Sequence, residues 1–178
     1  MIFEKKNEEI LKLEHRNKVY RLISKYPGTH LRELERKSKI PYSTLKYHLH
    51  FLAKHSLILE KKERGNIKYY TKSIEKEDIE IISLLRQKNV RKIILLLLTN
   101  GSCSHKDFEE FTSLASSTVN WYLNNLMKKG IVEKLIIKNK TPYKLRCDKE
   151  KIMKVLITYK ESFVDSLIDK TIEMWELR

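Results

Sequence analysis

Two short runs in this chain carry side chains suited to one chemistry. The first is Ser43-Thr44-x-Lys46-Tyr47-x-x-His50 with Lys54 beyond it. The second is Ser117-Thr118-x-Asn120-Trp121-x-x-Asn124 with Lys128 beyond it. Lysine bonds guanine or phosphate, asparagine bonds the N6/N7 edge of adenine with two bonds, and hydroxyls serve either partner. Tyr47 and Trp121 add ring faces that stack or reach a phosphate. Neither run pairs a nucleophile with a base. The chain has no phosphate-binding glycine loop, no dinucleotide glycine pattern and no nucleophile elbow. Its four glycines (Gly28, Gly65, Gly101, Gly130) stand at expected helix ends or in a hairpin, where backbone geometry accounts for them. An enzyme is therefore not expected.

The two runs belong to an internal repeat at a gap-free offset of 74 residues. Ser43-Thr44-Leu45 returns as Ser117-Thr118-Val119, Leu49 and Leu52 as Leu123 and Leu126, Leu57-Ile58 as Ile131-Val132, and Tyr69 as Tyr143. A fixed spacing held over some fifty residues means one structural unit written twice. In the first copy, apolar spacing predicts a helix over 7–26, ended by Pro27-Gly28, then a short helix from Thr29 to about Lys37. A turn at 38–41 leads into a third helix from about Tyr42 to His55. Its Leu45, His48, Leu49 and Leu52 face inward, leaving Tyr42, Ser43, Thr44, Lys46, Tyr47, His50 and Lys54 outside. A hairpin follows. Strands at 57–59 and 67–70 flank a turn in which Gly65-Asn66 supplies the positive φ of a tight reversal. It carries Lys61, Lys62, Arg64 and Lys68.

In the second copy, residues 74–99 hold the connection and the first helix. Ser104-His105-Lys106-Asp107 resembles a capping box, and the third helix spans about 116–129 until Gly130. Its outward set is Ser117, Thr118, Asn120, Trp121, Asn124, Asn125 and Lys128. Strands at 131–137 and 142–147 enclose the turn 138–140, with Lys138, Lys140, Lys144 and Arg146 as the cations. Residues 149–177 read as one long helix without a counterpart in the first copy.

Bulk charge agrees with the local chemistry. The net charge is +14, and residues 1–75 carry 18 Lys and Arg against 9 Asp and Glu, so the first copy is the more basic. A basic chain of this kind favours a polyanion, either nucleic acid or an acidic membrane surface. No apolar run approaches the roughly 20 residues that span a bilayer, and the amino terminus shows no signal-peptide pattern; a soluble, cytoplasmic protein without a membrane partner is expected. The two cysteines, Cys103 and Cys147, read as free thiols. Cys103-Ser104-His105 sets two ligand types two apart, but a closed zinc site needs four ligands. No second pair stands at a recognisable spacing, so neither metal nor cofactor is expected.

Residues 40–58, Ile-Pro-Tyr-Ser-Thr-Leu-Lys-Tyr-His-Leu-His-Phe-Leu-Ala-Lys-His-Ser-Leu-Ile, resemble the recognition helix and following strand of winged helix-turn-helix regulators, closest to the ArsR/MarR-like group common in archaea. Residues 114–132 repeat the resemblance with a Lys-Gly-Ile-Val ending, and His-Leu-Arg-Glu-Leu (30–34) is similar to the preceding helix. The resemblance implies a transcription regulator that binds double-stranded DNA, usually as a dimer. The clustered cysteines of metal-sensing members are missing. The implied fold is mainly α with small β-hairpins, an α+β class. It comprises one winged helix-turn-helix domain over 1–73, a second over 74–148, and a C-terminal helix over 149–178 suited to homodimerisation. In such domains the third helix enters the major groove, and the hairpin cations meet the adjacent groove or backbone. Two rivals stand beside this reading: a nonspecific architectural binder of nucleic acid, and a winged-helix scaffold for other proteins, against which the charge argues.

Overall fold

The computed structural model describes residues 10, 13–63, 65–137, 141–163, 171, 172, 174 and 175. The chain divides into two compact units, Met1–Ile82 and Ser83–Arg178. Among the described residues no helix is long and apolar enough to cross a membrane.

The first unit contains α1 (Glu14–Lys25), β1 (Thr29–His30), α2 (Leu31–Ser38), α3 (Tyr42–Lys54), β2 (Ile58–Glu63) and β3 (Asn66–Thr71). The three strands are antiparallel in the order β1-β3-β2, with Thr29 opposite Tyr69 and Lys61 opposite Lys68. Leu45, Leu49 and Leu52 recur at i, i+4 and i+7, one stripe of a helix. That stripe packs with Val19, Ile23, Leu34, Ile40, Leu57, Ile58 and Tyr69. Burying one leucine contributes roughly 1.5–3 kcal/mol, so three of them fix which face of α3 is left to solvent.

The second unit repeats this order after α4 (Lys76–Leu85), within which the division at 82/83 falls. Its elements are α5 (Lys88–Asn100), β4 (Ser102–Cys103), α6 (His105–Thr112), α7 (Ser116–Lys128), β5 (Val132–Lys134) and β6 (Tyr143–Leu145), with sheet order β4-β6-β5. The bounds of α6 and α7 are those of α2 and α3 moved by 74 residues. Their caps move with them. His30 Nδ1 accepts from the Glu33 N–H, and Ser104 forms a full capping box with Asp107. Lys39 and Ser113 close α2 and α6 in the left-handed region, at φ 58° and 57°.

In each unit a buried arginine bonds the backbone carbonyl six residues before it. Arg91 Nη1 donates to the carbonyl of Leu85, the last residue of α4, at 2.6 Å, and Arg16 Nη1 donates to Ile10 at 2.9 Å. A cation placed at the end of α4 satisfies an orphan carbonyl and opposes the negative helix end.

The α+β class and the repeated helix order are as the sequence predicts; several bounds are not. Thr29 does not open a helix. With His30 it forms β1, whose pairing is extended by the Gly28 N–H bond to Tyr69 (2.8 Å). Ser102–Cys103 does the same in the second unit. Residues 74–99 hold two helices, α4 and α5, parted at Arg86-Gln87. Among the described residues the strands of the second hairpin cover 132–134 and 143–145, with Ile137 a further bridge residue. The single helix expected over 149–177 is broken. The helix α8 (Lys149–Thr158) ends at Tyr159 (φ −115°, ψ 27°), and a 3-10 turn, Lys160–Ser162, turns Phe163 into the core, where it is 1% exposed. Helix recurs at Thr171, Ile172, Met174 and Trp175. Of the helix expected over 7–26, residues 7–9, 11 and 12 lie outside the described residues, and α1 covers Glu14–Lys25.

Candidate nucleic-acid interface

Helices α3 and α7 each have 13 residues and one buried stripe, Leu45, His48, Leu49 and Leu52 in the first and Val119, Leu123 and Leu126 in the second. The opposite stripe of α3 presents Ser43, Lys46, Tyr47, His50 and Lys54, all exposed, with Tyr42 exposed at its start and Thr44 half-buried. The matching stripe of α7 presents Ser117, Asn120, Trp121, Asn124 and Lys128, all exposed, with Thr118 half-buried. Positions three, four and seven apart share one helix face, so each set forms one surface.

The two surfaces differ in detail. Tyr47 is 59% and its repeat counterpart Trp121 is 55% exposed. The Tyr47 ring lies edge-on to His48 at 5.3 Å, and Trp121 edge-on to Tyr122 at 4.9 Å, which fixes each ring while leaving a face open. Asn124 Nδ2 reaches Asn120 Oδ1 at 3.5 Å, so the two amides act as a pair. Asn125, placed outside by the sequence pattern, is half-buried and donates to the Trp121 carbonyl at 2.9 Å. That bond ties the amide to its own helix, away from the outward face. Thus α3 offers cations and imidazole where α7 offers amides.

The helix before each reader shows what sequence reasoning missed. Arg32, Arg36 and Lys39 are exposed along α2 and its end. The first helix of a helix-turn-helix crosses the phosphate backbone, so these three extend the basic surface of the first unit. The i, i+4 spacing of Arg32 and Arg36 was the available signal. Their counterparts in the second unit are Lys106, Glu110 and Ser113, the first two paired at 3.5 Å. That unit instead ties α6 to α7. Glu109 accepts from the Ser116 hydroxyl and from His105 (2.9 Å), and these bonds, Ser116 first, hold its carboxyl below the usual range.

The hairpins are less uniformly basic than their lysines suggest. In the first, Lys62 is exposed and Lys68 half-buried, while Lys61 pairs with Glu63 at 3.5 Å. Glu63 also accepts from the Tyr70 hydroxyl at 3.3 Å. Arg64 lies outside the described residues, as do Lys138 and Lys140 in the second hairpin. There Lys144 pairs with Glu133 at 2.9 Å, and Arg146 is exposed. At the far end of that hairpin Ile136 and Ile137 are 86% and 52% exposed, a feature that no motif in the sequence marks.

Cys103 is buried and Cys147 half-buried. Cys103 donates to the Leu96 carbonyl and Cys147 to that of Ile131, and burial pushes both thiols up, away from the reactive thiolate. Among the described residues no three His, Cys, Asp or Glu side chains converge as a metal requires.

His48 sits beneath the first reading surface at 5% exposure, and its Nδ1 has no hydrogen-bond partner. From α1, His15 lies 6.1 Å away, and the Arg16 guanidinium stacks 3.7 Å from the ring of Phe51. Tyr47 flanks His48 on its own helix. Burial, then Arg16, then His15 lower the His48 pKa below 6.5. The folded unit therefore holds His48 neutral, whereas the unfolded chain takes up its proton near 6.5. Where the unfolded state binds more protons, stability rises with pH. The contribution of His48 is complete above about 6.5 and is lost as pH falls from there toward the folded value. Melting of the first unit is expected at lower temperature at pH 5 than at pH 7.5, with part of that difference absent in His48→Leu. An equal pH dependence in both proteins would assign it to other groups.

Comparison with known proteins follows the same division. Residues 13–81 match a family described as an N-terminal HTH domain, and residues 86–133 match one described as winged helix-turn-helix DNA-binding. Over 126 residues, 71% of this chain, the sequence is 31% identical to an HTH-type transcriptional regulator of Methanocaldococcus jannaschii. The matched region is 32% of that relative's length, so this chain spans about a third of it.

Proposed function

We propose that the chain, whose two units match helix-turn-helix domain families in tandem, binds double-stranded DNA sequence-specifically and regulates transcription by stoichiometric occupancy of a promoter. The observation that carries this reading is the pair of 13-residue helices with matching outward stripes. On α3, Ser43, Thr44, Lys46, Tyr47 and His50 make groove contacts, with Tyr42 and Lys54 at the flanking phosphates. Lys62, Arg64 and Lys68 serve as the wing. On α7, Ser117, Thr118, Asn120, Trp121 and Asn124 are the groove set, with Lys128, Lys138 and Lys140 on the backbone. The first unit supplies more of the electrostatic attraction, and the amide pair of the second supplies discrimination, since Asn reads adenine with two bonds.

The deciding experiment is selection of bound duplexes from a random pool at two salt concentrations. An enriched motif supports a specific regulator. Salt-sensitive binding without a motif turns the reading to an architectural protein, and no binding at low salt overturns it.

Regulators of this kind pair to read two half-sites, and residues 149–178 are proposed to form the contact between two chains. Ile157 on α8 is 49% exposed beside an open groove lined by Met153, Lys154 and Trp175, and Met174 is 47% exposed. Ile157→Glu is expected to shift the sedimenting species from dimer to monomer without lowering the melting temperature. A wild-type monomer at micromolar concentration overturns the pairing.

A further inference from the structure

The exposed ring of the second reading helix is held by a chain of contacts that runs back to α5. Trp121 is 55% exposed and meets Tyr122 edge-on, with ring centroids 4.9 Å apart and 79° between the planes. Tyr122 is half-buried, and its hydroxyl accepts a hydrogen bond from Asn89 Nδ2 at 3.2 Å. Asn89 stands in the first turn of α5, so this bond ties α5 to α7 within the second unit. At the 74-residue offset Asn89 and Tyr122 take the places of His15 and His48. There the two ring centroids lie 6.1 Å apart, and His48 Nδ1 has no hydrogen-bond partner. Both units thus set a side chain of an earlier helix behind the reading ring, and the second adds a directed bond. A ring fixed before binding loses little rotamer freedom on contact.

What such a ring can read follows from the groove it enters. Bases in a duplex are stacked, so the major groove presents their edges rather than their faces. The apolar group on those edges is the C5-methyl of thymine, whose partner adenine offers the N6/N7 edge that asparagine bonds. Trp121 shares its helix face with Asn120 and Asn124, whose amides are 3.5 Å apart. We infer that Tyr122, clamped by Asn89, positions Trp121 against a thymine methyl beside an adenine taken by the asparagine pair. The inference rests on the proposed DNA binding and names A·T pairs as what the second unit reads. Asn89 and Tyr122 are positioning residues, which act through Trp121.

The test uses the full chain and its selected duplex, made once with thymine and once with deoxyuridine, which lacks the methyl. Wild type is expected to prefer thymine by about fourfold for one methyl removed from water. Trp121→Ala and Asn89→Leu are each expected to bring that ratio close to one. Partial unfolding does not move the ratio, because a smaller folded fraction lowers both affinities alike. Fluorine NMR of the chain labelled with 5-fluorotryptophan reads the clamp in the free protein. Asn89→Leu is expected to move the Trp121 resonance and to leave that of Trp175, which lines a small cavity with Leu98 and Thr99 of α5. Movement of both resonances would assign Asn89 to helix packing and overturn its positioning role, as would movement of neither. Wild type indifferent to the methyl, or a methyl preference that survives in either variant, overturns the inference and leaves DNA binding standing. Wild type that binds no duplex at low salt overturns both.

Discussion

Leu49→Ala is expected to unfold much of the first unit at physiological temperature. Leu49 is 1% exposed and packs in one cluster with Val19, Ile23, Leu34, Leu45 and Leu52. Truncating a leucine so enclosed costs about 2–5 kcal/mol, transfer and cavity together. A whole domain holds only about 5–15 kcal/mol, and small ones lie at the low end. For a unit of this size each kcal/mol moves the melting temperature by about 4–8 °C, so a shift of roughly 10–30 °C is expected. Leu123→Ala, the same position in α7 and fully buried, is expected to do this to the second unit. Lys46→Ala, on the opposite face of the same helix as Leu49, is expected to change stability by less than about 0.5 kcal/mol. Calorimetry of the full chain reads all three. A loss near 1 kcal/mol for Leu49→Ala would mean that α3 is not seated by its leucine stripe.

The second large effect separates attraction from discrimination. Lys54→Ala with Lys128→Ala is expected to weaken binding to every duplex and to reduce the salt slope by about 0.9 for each phosphate no longer neutralised. Asn120→Ala or Asn124→Ala is expected to cost about 1–3 kcal/mol on the preferred sequence and little on others. Since the two amides lie 3.5 Å apart, the double variant is expected to lose less than the sum of the singles. Titrations against the selected duplex and a scrambled one, each at two salt concentrations, read both effects. An unchanged preference after both asparagine substitutions would move recognition off α7.

The outward faces of α3 and α7 were legible in the sequence because helical periodicity alone sorts inward from outward. Leu45, Leu49 and Leu52 leave Lys46, Tyr47 and His50 no other side, and the repeat states this twice. The hairpin charges were only half legible. Lysine and arginine can be counted along a chain, but whether Lys61 meets Glu63 or Lys144 meets Glu133 depends on strand register. The same holds for Asn125, whose type suits adenine but whose amide bonds the Trp121 carbonyl.

By itself the sequence determined the repeated helix order, the third helix of each copy, the capping box at Ser104 and the difference in charge between the copies, but not the division at 82/83. These depend on local spacing, local capping and composition. Only the tertiary structure decided four things. It made Thr29–His30 and Ser102–Cys103 strands, since two residues become a strand only when a distant one pairs with them. It broke the C-terminal helix at Tyr159, where burying Phe163 outweighs helical periodicity. It buried His48 near His15 and Arg16, residues more than thirty positions away, and burial first, then those two charges, lower its proton affinity. And it left Ile136 and Ile137 exposed, where apolar residue type alone would bury them.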